Sequence, residues 1–230
     1  MTMILEVSPT LLSSVGLVAL YLGLILLIAE ALNRLTDTHG ELTRKIVHIG
    51  SGHVLLFAWW LEIPAWVGIA AAVIASIIAL ISYFLPILPS INSVGRRSLG
   101  TFFYALSIGI LVAIFWPLQH PEYAVIGILV MAWGDGLAAL VGQNFGKHPY
   151  QIAGIRKSWE GSLTMTVVSF WVIILILGSV QGFHWQIGLI AIAVSLVATA
   201  LESFSKFGID NLSVPLGSAM LAFFLNQLFI

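Results

Sequence analysis

The chain has 230 residues, 60% of them hydrophobic and 8% charged, with a net charge of −1 and no cysteine. A soluble domain carries about 25% charged residues, so the composition excludes a soluble fold, and the lack of cysteine excludes disulfides, thiol catalysis and cysteine–zinc sites. The near-zero net charge names no partner, and a nucleic-acid partner is not expected.

The opening residues, Met1–Thr10, lack the basic n-region of a signal peptide and the Arg/Ser richness of a transit peptide. The first apolar run is therefore expected to stay as a membrane helix. Apolar runs follow in chain order at 10–32, 46–61, 65–84, 99–116, 123–142, 160–180, 186–204 and 212–229. About 20 apolar residues in a helix cross a hydrocarbon core of about 30 Å; the second and last runs are the shortest. Pro64, Pro86, Pro89, Pro117, Pro121 and Pro149 fall between runs, where proline costs little. These features predict an all-α polytopic membrane helix bundle of about eight transmembrane helices, a single domain over 1–230.

Charge placement orients the predicted bundle. Arg34, Arg44 and Lys45 flank the first connection, Arg96 and Arg97 the third, Lys147, Arg156 and Lys157 the fifth, and Lys206 the seventh. All the basic residues thus fall on one side, which the positive-inside rule makes cytoplasmic. Glu6, Glu62 and Glu122 lie on the other side; Glu30, Asp37, Glu41, Asp135, Glu160, Glu202 and Asp210 lie at or near the basic one. The active face is therefore expected to be cytoplasmic.

Four polar groups meet that face. The first, Glu41–His48, begins the second run: Arg44 and His48 are four apart and share a helix face, with Lys45 between them. His48 is a candidate base or phosphate contact; the deeper His53 reads more as an interior residue. The second is Asp135, placed about 10 Å above the inner end of the fifth helix. A carboxylate at that depth costs a few kcal/mol unless paired or solvated, which favours metal coordination or substrate contact over a simple ion pair. Gly134, Ala138 and Gly142 form a small-residue stripe that close helix packing accounts for. The following Gly142–Lys147, GQNFGK, is not a P-loop: its spacing is one residue short and no Ser/Thr follows the lysine. Gly142 and Gly146 still leave room for phosphate to approach the backbone.

The third group is Arg156–Gly161, RKSWEG. Ser158 is a plausible N-cap for the sixth helix, whose free amides and dipole make a natural anion site beside Arg156 and Lys157. Glu160 in the first turn either complements that dipole or binds metal. The fourth runs from Glu202 to Pro215. Asp210 and Asn211 are positioned to cap the last helix, whereas capping does not explain Glu202. Chemistry at this plane joins a water-soluble charged donor to a lipid-dissolved acceptor. Phosphoryl transfer fits, because it needs charge neutralisation and positioning more than covalent chemistry from the protein.

These residues resemble the CTP-dependent polyprenol kinase family, which includes phytol kinases, dolichol kinases and CTP-dependent diacylglycerol kinases. The resemblance is carried by E-x-x-RK-x-x-H at Glu41–His48, GD-x-x-A-x-x-x-G at Gly134–Gly142 with FG at Phe145–Gly146, KS-x-EG at Lys157–Gly161, and E…DN-x-x-x-P at Glu202–Pro215. The compact chain is more like the phytol kinases, which feed tocopherol synthesis, than the longer dolichol kinases. The resemblance implies CTP as phosphate donor, Mg²⁺ as cofactor, and phytol or another isoprenoid or lipid alcohol as acceptor. It implies a catalytic set of Asp135, Lys157, Glu160 and His48, with Asp135 and Glu160 as metal ligands. Nucleotide and substrate contacts would come from Arg44, Lys45, Gly134, Gly142, Gly146, Arg156, Ser158, Gly161, Glu202, Asp210 and Asn211. The expected location is a multi-pass protein of the plasma membrane or a thylakoid or plastid membrane. Cytidylyl transfer to a lipid phosphate and small-molecule transport are the alternatives. Transport is disfavoured because the ionisable residues cluster at one face rather than at the midplane.

Overall fold

A computed structural model describes residues 9–35, 40–84, 99–152 and 154–229. In chain order its elements are α1 (Pro9–Leu35), α2 (Gly40–Gly52), α3 (Val54–Trp60), α4 (Ala65–Phe84), α5 (Gly100–Phe115) and α6 (Pro121–Phe145). An antiparallel hairpin of β1 (Pro149–Ile152) and β2 (Ile155–Ser158) follows, and then α7 (Trp159–Gln181), α8 (Trp185–Ser203) and α9 (Asp210–Phe229). Among the described residues six helices are long and apolar enough to cross a membrane: α1 as far as Leu32, α4, α6, α7, α8 and α9. The chain is thus the expected helical polytopic bundle. Glu6, Asp37, Arg96 and Arg97, and the side chain of Glu41, lie outside the described residues.

Two expected spans differ. The run 99–116 is α5, an apolar helix of only 16 residues that is shorter than the six. The run 46–61 is two helices, α2 and α3, that meet at His53. Gly52 ends α2 where it crosses α6. A Cβ there would lie 2.5 Å from the Ala132 Cβ and 3.0 Å from the Tyr104 hydroxyl, so only glycine admits the crossing. The His53 ring is then held between two other helices. The Trp133 indole Nε1 donates to His53 Nε2 at 3.1 Å, and the Tyr21 hydroxyl lies 3.2 Å from Nδ1 while donating to the Gly50 carbonyl at 3.0 Å. Because the indole only donates, Nε2 accepts, and the ring proton sits on Nδ1. His53 is the interior residue that the sequence indicates.

Helix α6 is the centre of the bundle. Every residue from Glu122 to Ala132 is buried, packed by α5, α7 and α9, yet α6 is not the most apolar of the spans. Lipid-facing helices such as α1 must be apolar all round. A helix enclosed by others instead needs small residues that let backbones approach. Gly127 meets this need: an added Cβ would run into the Pro215 carbonyl and lie 3.0 Å from the Ala219 Cβ of α9.

Within α6, Val130–Asp135 is π-helical. A π-bulge inserts one extra residue into a helical turn and is frequent at functional sites. Here it turns Trp133 toward His53 and ends on Asp135, between the α-helical halves Pro121–Leu129 and Gly136–Phe145. The second half runs three residues past the expected end, so Asp135 lies about 15 Å from the helix terminus.

Candidate active site

Five charged side chains gather at the end of the bundle where α2 begins, α6 ends, α7 begins, α8 ends and α9 begins. Lys45, on the second turn of α2, is 3% exposed; its Nζ donates to Asp135 Oδ2 at 2.5 Å and reaches the Asp135 carbonyl at 3.4 Å. Lys157, on β2, pairs with Glu202 in the last turn of α8, where the Glu202 side chain is 6% exposed. Burial pulls the Lys157 ammonium down, but the carboxylates of Glu202, Asp135 and Asp210 outweigh it and hold its pKa above the ordinary lysine range. The two ion pairs therefore share one electrostatic environment, in which Asp210 and Lys45 also act on each other.

His48 lies one turn beyond Lys45. Its Nε2 is 3.7 Å from Asp135 Oδ2, beyond hydrogen-bond range, and is buried without a hydrogen-bond partner among the described residues. A buried orphan nitrogen facing a carboxylate needs a reason. The Tyr104 ring packs 4.5 Å from the His48 ring and its hydroxyl donates to the His48 carbonyl at 3.3 Å. Arg44 is exposed on the same turn, close enough to act electrostatically on His48.

The hairpin aims Lys157. Tyr150 pairs with Lys157 across the strands, and Gln151 with Arg156. Tyr150 is half-buried, and its hydroxyl lies 2.6 Å from Ser162 Oγ on α7 and 3.1 Å from Ser203 Oγ on α8. Alternation along a strand sends neighbours to opposite faces. Lys157 therefore turns toward the bundle beside Tyr150, while Arg156 is exposed on the other face beside Gln151. The two cations expected to act together are separated. The hairpin was missed at the sequence level, although Ile152 and Ile155 flanking a turn with Gly154 is a hairpin signal; Gly154 has φ +79°.

Two further expectations are revised. Ser158 does cap α7, accepting from the Gly161 amide at 3.1 Å, but the anion site expected behind it is already used. The Trp159 amide donates to the His148 carbonyl at 3.0 Å, and Glu160 complements its own amide. Glu160 also accepts from His148, at 2.7 Å from Nδ1 and 3.2 Å from the amide. It faces the base of the hairpin and is not brought into the cluster with Asp135. The glycines are packing residues. A Cβ on Gly134 would lie 2.6 Å from Met165 Sδ, on Gly142 3.0 Å from Ser158 Oγ, and on Gly161 3.0 Å from the Ala138 carbonyl; one on Gly146 would strike the Gly142 carbonyl. They seat α7 against α6 and so fix Lys157 relative to Asp135.

Asp210 opens α9, and its Oδ1 accepts from both the amide and the side-chain nitrogen of Asn211 at 3.1 Å. Asn211 Nδ2 also reaches the Gly208 carbonyl at 3.3 Å. Asn211 thus positions Asp210. Pro215 within α9 denies the Asn211 carbonyl its helical donor.

No three His, Asp or Glu side chains among the described residues are arranged to hold a metal by themselves. The donor set still fits Mg²⁺ shared with a nucleotide. Mg²⁺ takes hard oxygen ligands, commonly one or two carboxylates plus substrate phosphates, and Asp135 and Asp210 place such carboxylates in one cluster.

Comparison with known proteins supplies the family. No family model matches the chain, and no solved structure matches it. The phytol kinase of Synechocystis sp. (strain ATCC 27184 / PCC 6803 / Kazusa) is 60% identical over 209 residues, covering 91% of this chain and 90% of that protein. Phytol kinase 1, chloroplastic, of Arabidopsis thaliana is 32% identical over 243 residues, 93% of this chain and 77% of that protein. A probable phytol kinase 1, chloroplastic, of Glycine max is 33% identical over 218 residues, 85% and 70% respectively. With that identity spanning almost the whole chain, the chain belongs to the phytol kinase family.

Proposed function

We propose that this protein transfers the γ-phosphoryl group of CTP to the hydroxyl of phytol or a closely similar isoprenoid alcohol, giving the prenyl monophosphate and CDP. The observation that carries the reading is the meeting of Lys45, Asp135, Lys157, Glu202 and Asp210 from five separate segments in a chain of this family. Phosphoryl transfer needs cations against the spreading phosphate charge and a positioned nucleophile. Lys157 and Lys45 supply the cations, with Arg44 at the rim. Their present partners, Glu202 and Asp135, hold them in place until a triphosphate competes for them.

The alcohol oxygen attacks the γ-phosphorus, the bond to the β-phosphate oxygen breaks, and CDP leaves. His48 Nε2, unpartnered beside Asp135, takes the hydroxyl proton. Mg²⁺ would be held by Asp135 and Asp210 with the nucleotide phosphates, and would neutralise charge on them. Glu160 is left out of that ligand set because its carboxylate is occupied by His148. The basic end of the bundle faces the cytoplasm, or the stroma in a plastid, by the positive-inside rule.

The test is purified protein in detergent with phytol and CTP labelled at either the γ- or the α-phosphate, run against ATP, GTP and UTP. γ-Label in the lipid with CTP as preferred donor is the expected result. α-Label would mean cytidylyl transfer, and no transfer would refute the assignment.

A further inference from the structure

The seam between α8 and α9, at the charged end of the bundle, contains an open groove of about 330 Å³. Val197, Leu201 and Phe204 on one face of α8 form one wall, and Ile209 and Ser213 form the other. Val197, Phe204 and Ile209 are 40%, 60% and 47% exposed. Both helices are long and apolar enough to span the membrane, so the groove opens into lipid. Each of its walls adjoins a member of the charged cluster. Glu202 follows Leu201 but turns about 100° around the helix into the interior, where it is 5% exposed. Asp210 follows Ile209. The polar end of the groove is Ser205, whose Oγ accepts from the Asp210 amide.

A lipid-dissolved alcohol must bring one hydroxyl from the bilayer to charges buried among the helices. A mainly apolar groove, open to lipid, with Ser205 at one end bonded to the Asp210 amide, meets that requirement. Its volume is at the lower end for small-molecule sites. It suits a single branched chain better than the paired chains of a diacyl lipid, and its lining offers no charge to a zwitterionic head group. The groove beside the hairpin, lined by Pro149, Tyr150, Gln151 and Arg156, is polar and suits no such chain.

We infer that the α8–α9 groove binds the isoprenoid chain of the acceptor, with its hydroxyl end directed past Ser205 toward the charged cluster. The inference rests on the kinase reading above for the identity of the acceptor.

Two measurements test it. Ala200→Phe and Ser213→Phe fill the groove and should raise the KM for a twenty-carbon isoprenoid alcohol by about tenfold. The KM for CTP, and that for a ten-carbon alcohol, should stay unchanged. Leu196→Phe, at a lipid-facing position 56% exposed and outside the groove, should leave all three unchanged. Separately, a twenty-carbon isoprenoid alcohol with a diazirine at its tail, in nanodiscs without CTP, should label α8 and α9, and unlabelled phytol should compete. Unaltered KM values in an active enzyme, label on other helices, or competition by phospholipid as strong as by phytol would each overturn the groove. A protein inactive on every alcohol would refute the kinase reading, and the photolabelling would still uphold or overturn the groove.

Discussion

The Lys45–Asp135 pair gives the sharpest test of whether this cluster acts in catalysis or only in packing. Lys45 is 3% and Asp135 14% exposed. Removing one partner of a buried pair leaves the other charge uncompensated and costs about 3–5 kcal/mol. Lys45→Met should therefore lower thermal stability in detergent markedly and abolish transfer. Replacing both, as in Lys45→Met with Asp135→Leu, removes the desolvation cost together with the attraction. Such replacements are neutral or stabilising by about 1–4 kcal/mol. The double variant should thus recover stability, with a coupling energy of about 3 kcal/mol in the cycle, and remain inactive. Thermal unfolding of purified protein and transfer of γ-label from CTP to phytol are the two assays. Recovered activity in the double variant would refute the catalytic reading. An unchanged melting temperature in Lys45→Met would refute the buried pair.

Other outcomes follow from the same geometry. Ser158→Ala removes the α7 cap and should cost about 1 kcal/mol of stability while leaving the KM for CTP nearly unchanged; a large rise in KM would return that helix end to the phosphate site. Gly161→Ala forces a Cβ to within 3.0 Å of the Ala138 carbonyl and should destabilise by about 1–3 kcal/mol, read by thermal unfolding. Glu160→Gln should retain most of its turnover and Glu202→Gln should lose it; the reverse order would exchange their roles. Burial pulls the Lys157 pKa down, but Glu202 and its neighbouring carboxylates hold it above the ordinary lysine range, so the lysine side of that pair stays charged through pH 7–9 and is lost only as pH rises through its folded value. A stability profile that fell through pH 7–9 in wild type but not in Lys157→Met would contradict this.

The family and the broad architecture were legible in the chain because each has a strong linear signal. A buried charge is costly in a membrane, so Asp135 and Glu202 stand out as residues that need partners; both are paired with a lysine, which for Asp135 is the ion pair that the sequence disfavours. The Ser158 cap was legible because capping is local. Partner choice was not. Lys45 lies 90 residues from Asp135 and Lys157 lies 45 from Glu202, and nothing in the sequence says which cation meets which acid. Arg156 and Lys157 look equivalent as neighbours, and only the strand geometry sends them to opposite faces. Glu160 resembled a metal ligand by motif but is drawn away by His148, twelve residues earlier, once the hairpin forms.

The sequence by itself determined that this is a helical membrane bundle with its charges gathered at one end, because hydrocarbon thickness and the cost of burying charge act on every residue regardless of fold. Only the tertiary structure decided that α6 is the central helix, that a π-bulge presents Asp135 to Lys45 and His48, and that an open groove lies at the seam of α8 and α9. Those features depend on how closely helices can approach. The approach is set by pairs of small residues and opposing side chains far apart in the chain, which no local pattern records.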